Sequence, residues 1–237
     1  MRIGPQAKAQ MVELAHTWKQ GQHVLITGGT GSGKTELARQ LDEIRIRAGS
    51  YVVVFVCKLR PDDTIRTSYR GFKRWTRWKK RPRITDNKIL LWPKVEGLNQ
   101  RDATALMREV FMEALDEISK TGLWTVHIDE GLFVTSPTYL NLGRELGMMY
   151  SLMRTSKATL ITLAQRPAHL PLAVYANIDH AFIGQVKEAS DMKRLANMDG
   201  RYTSRELAEI IKRNTKHDFT WVPIGSGKEV QQINLAR

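Results

Sequence analysis

The most constraining feature of this chain is a glycine-rich loop that follows a short apolar stretch. Residues 24–27 read Val-Leu-Ile-Thr, and residues 28–35 read Gly-Gly-Thr-Gly-Ser-Gly-Lys-Thr, a complete GxxxxGK[ST] pattern. Glycines allow the backbone to wrap around phosphate groups, and the helix expected to begin near Lys34 adds the positive end of its dipole. The pattern therefore predicts a nucleoside triphosphate site at the junction of a strand and a helix.

The residues of this loop have distinct predicted roles. Lys34 is expected to reach the β- and γ-phosphates of ATP, and Thr35 is expected to place its hydroxyl on a Mg²⁺ ion. The other loop residues are expected to bind the phosphates mainly through their backbone: Gly28, Gly29, Thr30, Gly31, Ser32 and Gly33. We therefore predict ATP and Mg²⁺ as cofactors.

Apolar and amphipathic segments alternate along most of the chain. Strand-like apolar runs occupy residues 51–56, 123–128, 159–164 and 180–183. Helical patterns occupy residues 4–20, 34–47, 102–120 and 142–156. This alternation predicts an α/β fold in which a mostly parallel sheet is covered by helices on both faces, as in P-loop NTPases of the RecA/ASCE-like type. At 237 residues we expect a single domain over residues 1–237.

The C-terminal part, about residues 214–237, is expected to form an edge strand over 218–223 followed by a tail. Residues 225–228 read Gly-Ser-Gly-Lys and superficially resemble the phosphate loop. Glu229 stands where Ser or Thr is required, and no helical pattern follows. We therefore interpret residues 225–228 as a turn.

Two adjacent acidic residues, Asp129 and Glu130, follow the apolar run at 123–128. The carboxyl ends of parallel strands are where an open α/β sheet places its ligands. Asp129 is the predicted second Mg²⁺ ligand, and Glu130 is the predicted group that orients and activates the attacking water. His127, inside the strand, is interpreted as a core histidine rather than a ligand.

The net charge of the chain indicates the class of molecule that it binds. The formal net charge is +13 and the isoelectric point is about 10.0, which favours a polyanion, with nucleic acid as the first candidate. A single cysteine, Cys57, excludes a disulfide framework and a cysteine-based zinc site. No apolar run approaches the roughly 18 residues of a membrane span, so we expect a cytoplasmic protein without membrane insertion.

Positive charge is concentrated in a basic-aromatic insert, about residues 66–84. Between Tyr69 and Arg83 it has no acidic residue, and basic residues alternate with Phe72, Trp75 and Trp78. The basic residues could follow a phosphate backbone. For the rings two interpretations remain open: they stack on exposed bases, or they form the inner face of a short helix.

The segment from Arg154 to Pro167 resembles the signature of the FtsK–HerA ATPases, which are ring-forming DNA translocases. Arg154 precedes the apolar run at 159–164, and Gln165-Arg166-Pro167 follows it. The similarity covers roughly residues 20–195. Residues 58–63, at the end of the second strand, resemble a Lys/Pro/Asp turn of viral packaging ATPases.

The resemblance implies specific roles for two residues. Gln165 would sense the γ-phosphate, and Arg154 would act as an arginine finger toward a neighbouring subunit. Arg144 and Arg166 compete for the finger role, although Arg166 is better suited to positioning the loop before Pro167. The predicted catalytic set is therefore Lys34, Glu130, Arg154 and Gln165.

The resemblance favours a compact motor that translocates double-stranded DNA, most similar to viral genome-packaging ATPases. Such a motor implies a homo-oligomeric ring of five or six subunits and a possible portal or capsid-vertex protein as partner. Two alternatives stay open: a small-molecule P-loop kinase in which the Arg-rich segment closes as a lid, and an ATP-switched module that assembles on DNA or a partner protein without sustained translocation. Stimulation of ATP turnover by duplex DNA distinguishes the three.

Overall fold

The computed structural model of this chain describes residues 5–60 and 63–235. Within these ranges nine strands form one sheet, in the order β3-β4-β2-β5-β6-β1-β7-β8-β9. The strands are β1 His23–Thr27, β2 Tyr51–Phe55, β3 Lys73–Trp75, β4 Lys88–Leu91, β5 Trp124–Ile128, β6 Thr159–Ala164, β7 Ile178–Ile183, β8 Asp218–Pro223 and β9 Gln231–Asn234. The seven strands from β3 to β7 are mutually parallel, and β8 is antiparallel to both of its neighbours. The predicted mostly parallel α/β sheet is confirmed.

Helices cover both faces of this sheet. They are α1 Pro5–Thr17, α2 Lys34–Arg47, α3 Asp63–Ser68, α4 Gln100–Thr121, α5 Gly131–Thr135, α6 Gly143–Ser156, α7 Leu172–Asn177, α8 Ala189–Ala196 and α9 Ser204–Ile211. The central strands are buried on both sides, and their side chains alternate between two cores. In β1, Val24 and Ile26 pack with α1 and α2, whereas Leu25 packs in the core that contains α4 and α6. This two-sided burial explains why the strands read as continuous apolar runs.

The C-terminal part differs from its prediction in one respect. β8 is not an edge strand, because it pairs with β7 on one side and with β9 on the other. The residues expected to form a tail supply β9, and residues 224–226 form the turn that was predicted near 225–228. The error arose because β9 reads Gln-Gln-Ile-Asn, which has a single large apolar residue.

The basic-aromatic insert also differs from its prediction. It contains the short strand β3 and irregular backbone, and not a helix with an aromatic inner face. Its rings pack within the chain: Trp75 is buried at 4% exposure, and Trp78 packs on Trp124. Phe72 is partly buried and packs edge-on against the buried Tyr69. The three rings therefore contribute to the edge of the sheet.

Two further expectations concern membrane insertion and the Lys/Pro/Asp turn. None of the helices in the described ranges has the length and apolar character needed to cross a membrane. Residues 61–62 of the predicted Lys/Pro/Asp turn lie outside the part of the chain that is described.

Candidate nucleotide site

The glycine-rich loop joins β1 to α2 in a conformation that only glycines accept at several positions. Gly31 and Gly33 have φ angles of +73° and +96°, in the left-handed region that side chains disfavour. A Cβ at Gly28 would lie 3.0 Å from Ser32 Oγ. Lys34 Nζ donates hydrogen bonds to the carbonyl oxygens of Gly28 at 2.8 Å and Gly29 at 3.0 Å. The loop thus curls around the side chain of its own lysine. A backbone curled in this way can bind a phosphate group.

The order of the strands explains how Gln165 reaches this loop. β6 lies between β1 and β5, so the residue after β6 stands between the phosphate loop and the Asp129–Glu130 pair. Thr30 Oγ1 lies 3.3 Å from Gln165 Oε1, and Gln165 Nε2 donates to Glu130 Oε2 at 3.4 Å. Lys34, Glu130 and Gln165, which are far apart in sequence, therefore lie in one site.

The charged side chains of this site shift one another's pKa values. Burial raises the pKa of the Glu130 carboxyl, and the neighbouring Asp129 raises it further, while Lys34 opposes the shift. Burial lowers the pKa of Lys34, and the charges of Glu130 and Asp129 work against that decrease. A carboxylate with a raised pKa next to a cation is the arrangement expected of a group that accepts a proton from water.

The oxygen atoms available as metal ligands around this site fit a Mg²⁺ ion that is bound together with a nucleotide. In the described ranges no cluster of three or more His, Cys, Asp or Glu side chains could hold a metal by itself. Mg²⁺ prefers one or two protein ligands together with phosphate oxygens and water. Asp129 follows β5 and Thr35 lies in the first turn of α2, and both are only partly buried. These two residues would hold the ion, which would neutralise phosphate charge once nucleotide is bound.

The three candidate arginines lie in different places. Arg154 lies in the last turn of α6 and donates to Asp179 Oδ1 at 2.8 Å, at the start of β7. The start of β7 lies at the end of the parallel strands opposite the phosphate loop. Arg154 therefore does not contact the nucleotide site of its own chain. Arg166 donates to the buried Asp191 at 2.7 Å. Arg144 is exposed and has no ion pair among the described residues.

His127 has partners in the core, as expected. Its Nδ1 lies 2.8 Å from Asp42 Oδ2 and 3.2 Å from the Tyr69 hydroxyl, and all three residues are buried. Asp42 belongs to α2 and Tyr69 lies in the insert, directly after α3, so the histidine connects three parts of the chain. Despite burial, the Asp42 charge raises the pKa of His127.

One part of the site was missed by the sequence analysis. The turn of residues 215–218 lies against the phosphate loop, where a Cβ at Gly33 would lie 3.6 Å from His217 Nδ1. A Cβ at Gly31 would lie 3.9 Å from Lys216 Cε. No local pattern marks these residues, because their position depends on the pairing of β8 with β7.

Comparisons with known proteins agree with the fold described above. The family model described as the Sigma-54 interaction domain matches residues 3–74, which include the phosphate loop. No curated protein matches the sequence. Among solved structures, the genome packaging NTPase B204 from Sulfolobus turreted icosahedral virus 2, in complex with AMPPCP, superposes with a TM-score of 0.61. The two are 14% identical, and the match covers 91% of this chain and 98% of that one.

The fold is that of a P-loop ATPase.

Two further structures extend the likeness. VirB4 of Thermoanaerobacter pseudethanolicus superposes with a TM-score of 0.65 at 10% identity, over 91% of this chain and 89% of that chain. The pCW3 conjugation coupling protein TcpA, with ATPγS, gives 0.56 at 15% identity, over 93% and 60%. Identities this low establish the fold alone. The comparisons therefore confirm the P-loop fold that the sequence resemblance implies.

Proposed function

We propose that this chain hydrolyses ATP with Glu130 as the group that activates water and Gln165 as the sensor of the γ-phosphate. The observation that carries this proposal is the chain of contacts from Thr30 through Gln165 to Glu130, at 3.3 and 3.4 Å. An amide between the loop and the base can hydrogen-bond a phosphate oxygen or the attacking water without competing for the metal. Loss of the γ-phosphate would then change the contacts of Gln165 directly.

We further propose that hydrolysis drives movement along double-stranded DNA. The net charge of +13 supports a polyanionic substrate, and exposed cations remain on the insert although its rings pack within the chain. Arg70, Lys73, Lys80 and Arg83 are exposed and have no ion pair within the described ranges. The structural similarity to B204, a genome packaging NTPase, supports the narrower proposal of a viral packaging motor.

The position of Arg154 supports the proposal of a ring of identical subunits. The Arg154 side chain is 58% exposed and lies at the end of the parallel strands opposite the phosphate loop of its own chain. It could therefore contact only a nucleotide that is bound to a neighbouring subunit. In such a ring each ATP would lie between one subunit's Glu130 and the next subunit's Arg154. We propose five or six subunits with the protein in the cytoplasm, and a portal or capsid-vertex protein as a further partner.

The geometry does not support the kinase alternative. A lid must lie over the phosphates, but β3 of the insert is five strand positions from β1, which corresponds to about 24 Å across the sheet. Three insert arginines are also held by their own chain. Arg74 pairs with Glu96, Arg77 pairs with Glu109, and Arg81 donates to the carbonyl of Thr121.

Two substitutions in the wild-type background test the proposal. Lys34→Ala should abolish tight ATP binding, because it removes the cation in the phosphate loop. Glu130→Gln should leave binding intact and reduce turnover by roughly 10²–10⁴-fold, because it removes only the proton acceptor. Equilibrium binding and steady-state ATPase assays, with and without duplex DNA, measure both.

Each part of the proposal can be refuted separately. Normal turnover in the Glu130→Gln variant would refute the assignment of the base. Wild-type turnover that does not respond to duplex DNA would refute the motor and leave the ATPase in place.

A further inference from the structure

The turn of residues 215–218 forms part of the wall of the site and is held by hydrogen bonds within the turn and to the ends of β7 and β9. Asp218 closes the turn, because its Oδ2 accepts from the backbone N–H of Thr215 at 2.7 Å. Asn214 donates to the carbonyl of Ile183 at 2.8 Å, which fixes the turn to the end of β7. The carbonyl of His217 accepts from the N–H of Leu235 at 3.1 Å, which fixes it to the end of β9. These ends of β7 and β9 lie at the same edge of the sheet as the phosphate loop.

Two consecutive side chains of this turn face the phosphate loop. His217 Nδ1 is buried without a hydrogen-bond partner and lies beside Gly33. The Lys216 side chain lies beside Gly31, is exposed, and has no ion pair in the part of the chain that is described. An unpaired cation held over a phosphate loop lacks a counter-charge that a bound nucleotide would supply.

A cavity connects Lys216 with the proposed sensor. Its volume is about 500 Å³, and its lining includes Gly29, Thr30, Gln165 and Lys216, together with a second lysine, Lys187, and Glu188. Gln165 contacts Glu130, so this cavity borders the place where the terminal phosphate and the attacking water would lie. A lysine side chain is long and flexible enough to cross such a space to a phosphate oxygen.

From this juxtaposition we propose that Lys216 is a second phosphate-binding lysine, which contacts the terminal phosphate of ATP in addition to Lys34. The inference rests on the proposed nucleotide site and adds a binding residue to it. Because the γ-phosphate is absent from ADP, Lys216 distinguishes ATP from ADP. It thereby makes the C-terminal strand pair part of the nucleotide sensor.

Binding of AMPPCP and ADP to the full chain, measured by calorimetry, tests this inference. Lys216→Ala should weaken AMPPCP about tenfold and ADP by less than about twofold, because a charge-assisted hydrogen bond is lost only where the terminal phosphate is present. Lys216→Arg should retain most of the AMPPCP affinity, because it keeps the cation. Lys212→Ala is the matched control, since Lys212 is an exposed lysine directly after α9 that pairs only loosely with Glu209, at 3.9 Å.

Two results would overturn the inference: an unchanged AMPPCP affinity in Lys216→Ala, or equal weakening of AMPPCP and ADP, which would place the lysine elsewhere. Failure of the wild-type chain to bind either nucleotide would instead refute the proposed nucleotide site. Thermal unfolding of each variant separates a lost contact from a lost fold.

Discussion

Seven of the nine cations of the insert fall into two groups, and this division allows a sharp test of DNA binding. The other two are Arg66, which pairs with Asp63, and Lys79, whose amino group lies over the Trp75 ring. The free group consists of Arg70, Lys73, Lys80 and Arg83, which are exposed and have no ion pair within the described ranges. The paired group consists of Arg74, Arg77 and Arg81, which bind Glu96, Glu109 and the Thr121 carbonyl. Only the free group can release counterions from DNA at no cost to existing contacts.

The expected magnitude follows from counterion release. Each phosphate contact contributes about 0.9 to the slope of log affinity against log salt concentration, so replacement of all four free residues by Gln should reduce that slope by about 3 to 4. The affinity should fall to a similar extent on unrelated duplexes, because phosphate contacts carry no sequence information. ATP turnover without DNA should stay unchanged, since the insert lies at the far end of the sheet from β1.

Two further variants make the measurement decisive. Replacement of Arg74, Arg77 and Arg81 by Gln should change the slope little and lower the unfolding temperature, because it removes contacts to the chain itself. Replacement of four exposed cations elsewhere, Lys19, Lys193, Arg205 and Arg213, controls for net charge alone. Equal slopes for the free-group variant and this control would refute the insert as the DNA-binding surface.

The remaining predictions concern the site and the fold. Mixing Arg154→Ala subunits with Glu130→Gln subunits should restore turnover at interfaces that pair two intact residues, whereas loss of the finger alone costs roughly 10³–10⁵-fold; absence of rescue would argue against a trans role. The acid limb of the ATPase pH profile should lie above the ordinary pKa of a glutamate, because the raised pKa of Glu130 leaves it protonated and inactive as pH falls. Gly122→Ala should lower the unfolding temperature by several degrees, about 4–8 °C for roughly 2 kcal/mol, because its Cβ would lie 2.0 Å from the Ser156 carbonyl oxygen at φ +61°. Gly49→Ala, at φ +83° with no atom within 4 Å of its Cβ, is the control and should cost less.

The parts of the fold that were predictable are those whose signal is local. The phosphate loop is one continuous pattern, and the helices α4 and α6 begin and end within two residues of the expected positions. The proximity of Gln165 to the loop did not follow from spacing alone. It required the resemblance to a family, because nothing local shows that β6 is inserted between β1 and β5.

The parts that were missed depend on partners distant in sequence. β3 has three residues, two of them Lys and Arg, and it is a strand because it pairs with β4, which completes the edge of the sheet. Its Trp75 is buried by that pairing, which is why a basic sequence with regularly spaced rings does not behave as a helix. The same dependence hides Lys216, whose place over the phosphate loop is set by the β7–β8 and β8–β9 pairings. For this chain, the residues that carry chemistry on a local motif could be predicted, whereas those brought to the site by strand pairing needed the fold.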